Sequence, residues 1–130
     1  MTFTIKQEKL FKETPQKIYQ ALIDSAQFSQ VTGGAPTEIS SESGGAFSLF
    51  GGMIYGRNIE LISNVRMVQA WRAGNWEEGV YSIVKIELKE KGEETLLELT
   101  HTGFPEGQGE HLSTGWEENY WGPLKKYLEK

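Results

Sequence analysis

The stretch VYSIVKIELKEKGEETLLELTHT, residues 80–102, sets the fold class of this 130-residue chain. Apolar and polar residues alternate through 80–90 and again through 95–102, a pattern typical of half-buried β-strands. Between them, KGEE at 91–94 has the composition of a tight turn. We therefore expect the two strands to pair as an antiparallel hairpin.

The same alternation extends the sheet upstream of the hairpin. Three more strands are predicted, in residues 46–50, 53–62 and 64–72. Residues 2–12 also alternate and place Phe3, Ile5, Gln7 and Phe11 mostly on one face, which predicts a strand at the N-terminus. Consecutive strands with short turns indicate an antiparallel sheet of about six strands.

Two short helices are predicted between the first strand and the rest of the sheet. Thr14 followed by Pro15 is typical of a helix start, with the threonine as N-cap and the proline at the first helical position. Apolar residues then recur at spacings of three and four as far as about Asp24. A second helix is expected over 25–30, ending before Gly33.

A longer helix is predicted at the C-terminus, after a loop that follows residue 102. Its apolar side is formed by Trp116, Tyr120, Leu124, Tyr127 and Leu128. We expect Ser113 or Thr114 to cap the helix, and Pro123 to bend it or delay its start. A sheet with one long helix must cover its apolar face with that helix, so the chain is predicted to be an α+β protein.

Composition excludes several classes of function. The net charge is −5, from 13 basic and 18 acidic residues, and no basic stripe is present, so no nucleic-acid partner is expected. There is no cysteine, which removes disulfides and thiolate zinc sites. No apolar run approaches about 18 residues, and the N-terminus lacks a signal-peptide core. We expect a cytoplasmic protein without a membrane partner.

Catalytic, metal and cofactor motifs are also missing. The two histidines, His101 and His111, lie ten residues apart with no third histidine or cysteine to complete a zinc site. The glycine-rich segment 44–52 lacks the Lys-Ser/Thr ending of a phosphate loop. The paired glutamates fall at turns or on the polar side of a helix, so we expect no catalytic residue. His111 is interpreted as a solvated loop residue.

A set of inward-facing residues is the candidate site. His101 shares a face with Leu97 and Leu99, and alternation gives Ser82 and Tyr55 the matching faces of their strands. Three polar residues fall on these apolar stripes: Ser82, Arg57 and His101. They either lie near sheet ends or pair with one another, or they orient a ligand in a cavity. The predicted lining residues are Tyr55, Arg57, Ile59, Ser82, Val84, Leu97, Leu99, His101, Trp116 and Tyr120.

Three blocks of sequence carry a family resemblance: GG-F-x-L-F-x-G at 44–52, WR…W-x-E-G at 71–79 and G-x-P…GW…Y at 103–120. With the residues around them, from about Thr4 to Leu128, they resemble the C-terminal domain of the activator of the heat-shock protein 90 (Hsp90) ATPase. That domain belongs to the START-like helix-grip (SRPBCC) superfamily. The resemblance implies one domain over 1–130 with the order β-α-α-β6-α. Its curved antiparallel sheet would wrap around a long C-terminal helix, usually around a cavity for hydrophobic ligands.

Two functions follow as hypotheses. The first is a non-enzymatic module that binds a small hydrophobic or amphipathic molecule between sheet and helix. The alternative is a co-chaperone-like, stress-response interaction module acting on an Hsp90-type chaperone, with Trp76 in the turn 74–79 as an exposed contact. Some helix-grip proteins are cyclases or hydrolases, but no motif requires an enzyme here. The two-domain relatives carry a separate N-terminal domain, and this sequence contains the C-terminal type alone. A monomer or a homodimer is expected.

Overall fold

The computed structural model describes residues 4–129, which form one curved antiparallel sheet covered by helices on one side. The seven strands are β1 Thr4–Phe11, β2 Glu38–Ile39, β3 Ala46–Leu49, β4 Ile54–Ile62, β5 Arg66–Ala73, β6 Ser82–Lys91 and β7 Glu94–Thr102. Their order across the sheet is β1-β7-β6-β5-β4-β3-β2, with every pair antiparallel. The predicted helix-grip fold and the order β-α-α-β6-α are confirmed.

The central hairpin forms as predicted. β6 and β7 pair from Ile83 opposite Thr102 to Lys91 opposite Glu94, so only Gly92 and one further residue turn the chain. Gly92 adopts a φ of +65°, a left-handed conformation that glycine enters without a steric penalty. β1 then adds to the free edge of β7. The predicted Phe3 lies outside the described residues.

β2 is the strand that sequence pattern did not predict. It contains only Glu38 and Ile39, which pair with Ser48 and Phe47 of β3. Alternation needs about four residues before it is distinguishable from chance. A two-residue strand therefore becomes visible only through its pairing.

The two N-terminal helices are α1 Pro15–Ile23 and α2 Ser25–Val31, close to their predicted bounds. Thr14 caps α1 as expected, since its Oγ1 accepts a hydrogen bond from the Lys17 amide at 3.3 Å. Asp24 ends α1 and also caps α2, accepting from the Gln27 amide at 2.9 Å. One residue thus joins the two helices with no loop between them.

The C-terminal helix has three consecutive parts: α3 Gly109–Gly115, a π-helical segment Trp116–Trp121, and α4 Gly122–Leu128. Of the two effects expected of Pro123, a bend or a late start, the late start is not found, because α3 begins at Gly109. The predicted cap at Ser113 or Thr114 is wrong, because α3 has no side-chain cap. Pro123 does perturb the helix. A proline inside a helix crowds the carbonyl oxygen four residues before it and has no amide hydrogen to donate. The π-helical segment ends at Trp121, two residues before Pro123.

The π-helical segment determines which side chains face the sheet. Its hydrogen bonds run from residue i to i+5, so residues five apart lie about one turn from each other. Trp116 and Trp121 stack at 5.4 Å between ring centroids, and Tyr120 lies beside them; all three are buried. In an ideal α-helix Trp121 would point away from Trp116, and for that reason the 3.6-residue period missed it.

Gln7 on β1 ties this helix to the sheet. Its Nε2 donates to the carbonyl oxygen and to the hydroxyl of Ser113, both at 3.0 Å, while its Oε1 accepts from Trp121 Nε1 at 2.8 Å. The core then fills the space between the sheet and the helices. Among residues 4–129, no helix combines the length and the apolar character that a membrane span requires.

Candidate ligand-binding site

A chain of hydrogen bonds runs from the C-terminal helix into the sheet through His101. Trp116 Nε1 donates to His101 Nδ1 at 3.0 Å. His101 Nε2 lies 2.7 Å from Ser82 Oγ, which in turn donates to the Trp71 carbonyl oxygen at 3.0 Å. His101 and Ser82 are both fully buried. The chain therefore connects β5, β6 and β7 to the helix inside the core.

The geometry assigns the proton on His101. An indole nitrogen can only donate, so Nδ1 of His101 must accept and carries no proton. The neutral ring then bears its hydrogen on Nε2 and donates it to Ser82 Oγ, which leaves no member of the chain unsatisfied. Burial lowers the pKa of His101 from 6.5 to about 4, so the ring is neutral at pH 7. Ser82 and His101 thus pair with one another inside the core, and the prediction that they line the cavity is wrong.

A cavity of about 480 Å³ opens beside this chain, between the ends of β4 and β5 and the C-terminal helix. Its volume lies within the range of about 300–1,000 Å³ that is usual for small-molecule sites. The buried part of its wall consists of Trp71, Trp76, Leu112, Trp116 and Tyr120. The half-buried part consists of Phe50, Ile54, Ala73, Gln108 and Gly115. The exposed rim consists of Met53, Gly74, Asn75, His111 and Asn119.

Trp71 Nε1 and Tyr120 Oη are both buried and form no hydrogen bond of regular geometry. The Trp71 indole nevertheless acts on the Tyr120 hydroxyl as a side-chain hydrogen-bond partner and opposes part of the rise in its pKa. Burial raises the pKa of Tyr120, so its hydroxyl keeps its proton. Within the described chain, 4–129, no aspartate, glutamate, lysine or arginine lines the cavity.

Phe50 reaches the cavity through a strained backbone. Its φ of +53° is in the left-handed region, which costs a bulky residue on the order of 1 kcal/mol or more. Gly51 and Gly52 continue the turn at positive φ. The Phe50 ring contacts Phe28 at 6.0 Å and Tyr120 at 5.6 Å between centroids. These contacts hold the ring against the helix and offset the strain.

Part of the predicted site is placed as expected. Trp116 and Tyr120 line the cavity, and their role in binding a ligand stays a prediction. Val84, Leu97 and Leu99 face the helices and are fully buried, but they belong to the packed core and do not line the cavity. Sequence alternation gave their direction correctly. It carries no information on where packing leaves a space.

The prediction that Tyr55, Arg57 and Ile59 face the helix is wrong. All three are exposed on the opposite face of the sheet, while Asn58 points inward. A β-bulge between Asn58 and Glu60 adds one residue to β4 and reverses its alternation. Leu61 faces the core beyond the bulge, so counting back from it in steps of two selects the wrong face.

The prediction that Trp76 is an exposed contact is also wrong, because only 9% of it is accessible. Its ring packs on Trp71 at 5.7 Å and lines the cavity. Arg72, which the sequence did not single out, holds the turn closed. Its guanidinium donates to the carbonyl oxygens of Trp76, Glu77 and Val80 at 2.7–3.2 Å. The Arg72 side chain also lies over the Tyr55 and Tyr81 rings.

His111 is exposed as predicted, although it lies in α3 and on the rim of the cavity, not in a loop. Other lining residues were missed, among them Phe50, Ala73 and Asn119. The only available signal was the pair of glycines after Phe50, which marks a turn but not its direction. Within residues 4–129, no group of three or more histidine, aspartate or glutamate side chains is arranged to hold a metal ion.

With this geometry established, comparison with known proteins identifies the family. The family model described as Activator of Hsp90 ATPase homolog 1-like protein matches residues 12–129. The chain belongs to this family. A relative from Dictyostelium discoideum, named activator of 90 kDa heat shock protein ATPase homolog, is 34% identical over 119 residues. That match covers 91% of this chain and 31% of the relative.

The human activator of 90 kDa heat shock protein ATPase homolog 1 is 25% identical, over 96% of this chain and 37% of its own length. This family member thus spans about a third of the curated relatives it matches. Among solved structures, an HSP90 activator from Plasmodium falciparum has a TM-score of 0.87 and 29% identity, covering 99% and 96% of the two chains. The Aha1 dimer from Colwellia psychrerythraea, at 21% identity, 98% and 96% coverage and a TM-score of 0.82, shows the same fold.

Proposed function

We propose that the protein binds a small apolar or amphipathic molecule in the cavity between its sheet and its C-terminal helix. The observation that carries the proposal is the cavity of about 480 Å³ with an aromatic buried wall. Moving apolar ligand surface out of water into such a cavity is favourable. We propose a binding protein and not an enzyme. Both ring nitrogens of His101 are engaged in hydrogen bonds, so neither is free to accept a proton from a substrate.

Two measurements test the proposal: a search for a ligand that co-purifies with the protein, and the binding of a known apolar dye. Native mass spectrometry of the purified protein is expected to show a bound small molecule, and the uncharged dye Nile red is expected to bind with increased fluorescence. Absence of both a co-purifying mass and dye binding would contradict the proposal.

A pair of variants on one strand locates the binding. Ala73 lines the cavity, so Ala73→Phe fills it and is expected to weaken dye binding by about tenfold or more, or ~1.4 kcal/mol. Ala70 lies on the same strand but faces the opposite side of the sheet, opposite Arg57 and Ile83. Ala70→Phe is therefore expected to bind the dye normally. Equal effects of the two changes would place the dye elsewhere.

A second candidate function is regulation of an Hsp90-type ATPase. It is supported by family membership and by the names of relatives that share about a third of their length with this chain. With Trp76 buried, the contact would fall to the outer face of the sheet, where Ile59, Tyr81 and Ile83 are between 41% and 50% exposed. A cytoplasmic location and homodimer formation would suit this role and stay predictions.

The ATPase rate of an Hsp90-type chaperone, measured with and without the protein, tests this candidate. A change in rate that Ile83→Glu abolishes and Ala73→Phe preserves would support it. Ile83→Glu is expected to leave Nile red binding intact, because Ile83 does not line the cavity. The two functions are thereby separable in one set of variants. An unchanged rate with no complex on gel filtration would reject the chaperone role.

A further inference from the structure

β1 forms one edge of the sheet, and within residues 4–129 no strand lies on its free side. Its eight residues, Thr4–Phe11, pair with β7 without a bulge, so the strand is regular along its whole length. The opposite edge, β2, contains only two residues. Edge strands commonly avoid pairing with another chain by being short, by a bulge or by a proline. β1 has none of these features, so it is the edge to which a further strand can add.

The outer face of β1 carries two opposite charges that lack an ion pair. Lys6 and Glu8 are both exposed, and neither forms a salt bridge with another residue of the described chain. Glu8 lies directly opposite Glu98 of β7, whose carboxylate is already paired with Lys89 at 2.6 Å. Like charges directly opposite each other on a sheet are destabilising. A cation on the free side of β1 would therefore stabilise Glu8, as an anion there would stabilise Lys6.

The charge pattern selects one way to pair two copies of this edge. A two-fold axis perpendicular to the sheet brings two β1 strands together antiparallel and keeps both outer faces on the same side. With Gln7 opposite Gln7 at the axis, Lys6 of each copy lies opposite Glu8 of the other. An axis at Lys6 places lysine opposite lysine, and an axis at Glu8 places glutamate opposite glutamate. β1 is thus complementary to itself in the register centred on Gln7.

The remaining pairs of this register are compatible with it. On the outer face, Thr4 lies opposite Leu10, which is 49% exposed in the single chain. On the inner face, Ile5 lies opposite Lys9, whose charge is paired with Glu117 of the C-terminal helix. Lysines protect an edge strand because a second copy brings its own lysines against them. In this register no lysine faces another lysine, so that protection is absent.

We propose that the protein forms a homodimer through the free edges of two β1 strands, paired antiparallel about Gln7 with Lys6 of each copy against Glu8 of the other. The inference does not rest on the proposed ligand binding, since no residue of β1 lines the cavity between the sheet and the C-terminal helix. One pair of strands is a small contact for a dimer, so the association is weak and depends on protein concentration.

Reversal of the two charges tests the register. In sedimentation velocity, the wild type is expected to show a dimer fraction that rises with protein concentration and falls at high salt. Lys6→Glu and Glu8→Lys each place like charges opposite one another twice. Each is expected to raise the dissociation constant by about tenfold or more. The double variant Lys6→Glu/Glu8→Lys restores both contacts and is expected to dimerise as the wild type does.

A mixture of the two single variants gives an independent measurement. One protein then carries two glutamates on the edge and the other carries two lysines, so every contact between them joins opposite charges. We expect the mixture to form a heterodimer at least as tightly as the wild type forms its homodimer. Lys85→Glu is the matched control, because it makes the same charge change on the outer face of β6, away from the edge. It is expected to leave the dissociation constant within about twofold.

Introduced thiols locate the axis, since the chain contains no cysteine. Lys6→Cys and Glu8→Cys proteins, mixed and mildly oxidised, have their thiols directly opposite each other in the proposed register. Directly opposite residues lie within the distance that a disulfide spans. The mixture is therefore expected to cross-link faster than either protein alone. Faster cross-linking of Lys6→Cys with itself would move the axis to Lys6 and overturn the register.

The outcomes separate this inference from the proposed function. A protein that stays monomeric at every concentration would overturn the edge dimer. A dimer that neither single charge reversal weakens, or that the double variant does not restore, would place the interface elsewhere and overturn it as well. Nile red binding is expected to be the same in all of these variants, so a failure of ligand binding is recorded independently of dimer formation.

Discussion

Trp116 on the C-terminal helix donates its indole hydrogen to Nδ1 of His101 on β7, and this bond keeps His101 in one neutral tautomer inside the core. The same indole forms part of the cavity wall. The contact that docks the helix on the sheet therefore also shapes the candidate site. A change at Trp116 is therefore expected to alter both the stability of the fold and the shape of the cavity.

His101 is expected to make stability depend on pH. Its pKa is about 4 in the folded protein and about 6.5 when unfolded, so the unfolded chain binds more protons between these values. The contribution is fully present above pH 6.5 and is lost as the pH falls toward 4, by up to ~3 kcal/mol. Urea unfolding across this range measures it.

The chain's second histidine supplies the control for this effect. His111 is exposed, so His111→Gln is expected to keep the slope of stability against pH, whereas His101→Gln is expected to remove most of the histidine part of it. The three proteins contain the same carboxylates, so the comparison isolates the histidine part of the slope. The same slope in His101→Gln as in the wild type would contradict the assignment.

Trp116→Phe is expected to destabilise the protein more than Trp121→Phe. Both changes remove an indole that is 2% exposed. The first leaves His101 Nδ1 fully buried without a donor, at a cost of about 1–3 kcal/mol beyond the lost ring area. The second frees Gln7 Oε1, an acceptor on a side chain that is only half-buried. Urea midpoints at pH 7 compare them, and a larger loss for Trp121→Phe would contradict the ranking.

Gly56→Ala is expected to cost about 2–3 kcal/mol or to prevent folding, because a methyl group there overlaps the Ala70 carbonyl oxygen on β5. Backbone atoms in a paired strand cannot move aside without breaking the ladder. Gly74→Ala is the control, since its nearest contact is an ordinary 3.4 Å to the Gly52 carbonyl oxygen. Thermal unfolding measures both, and similar melting temperatures would contradict the prediction.

Arg72→Lys is expected to loosen the turn 74–79. A lysine cannot reproduce the fork that binds the carbonyl oxygens of Trp76, Glu77 and Val80, so we expect a loss of about 1–3 kcal/mol. Faster amide exchange in this turn and a red-shifted tryptophan emission are the measurements. Arg57→Lys, on the same outer face with one exposed bond to the Gly44 carbonyl oxygen, is the control and is expected to change neither.

The site was less predictable than the fold, because its residues depend on contacts between elements and not on a pattern within one element. Val84, Leu97 and Leu99 follow an unbroken alternation, so their direction was correct. Tyr55 and Ile59 lie on a strand whose bulge depends on its pairing with β5, which no pattern within β4 records. Trp76 was expected outside because turns are usually exposed, but Arg72 pulls the turn closed and buries it.

The sequence pattern by itself determined the order of strands and helices, the hairpin at 80–102, the cap at Thr14 and the inward direction of His101, because each depends on residues close along the chain. The helix-grip fold was implied by the family resemblance, since β1 pairs with β7 across the whole chain. Only the tertiary structure decided the bulge in β4, the π-helical segment beside Pro123 and the cavity. Those features arise where two elements must fit each other. A cavity in particular is the space that packing leaves between them, and no single segment encodes it.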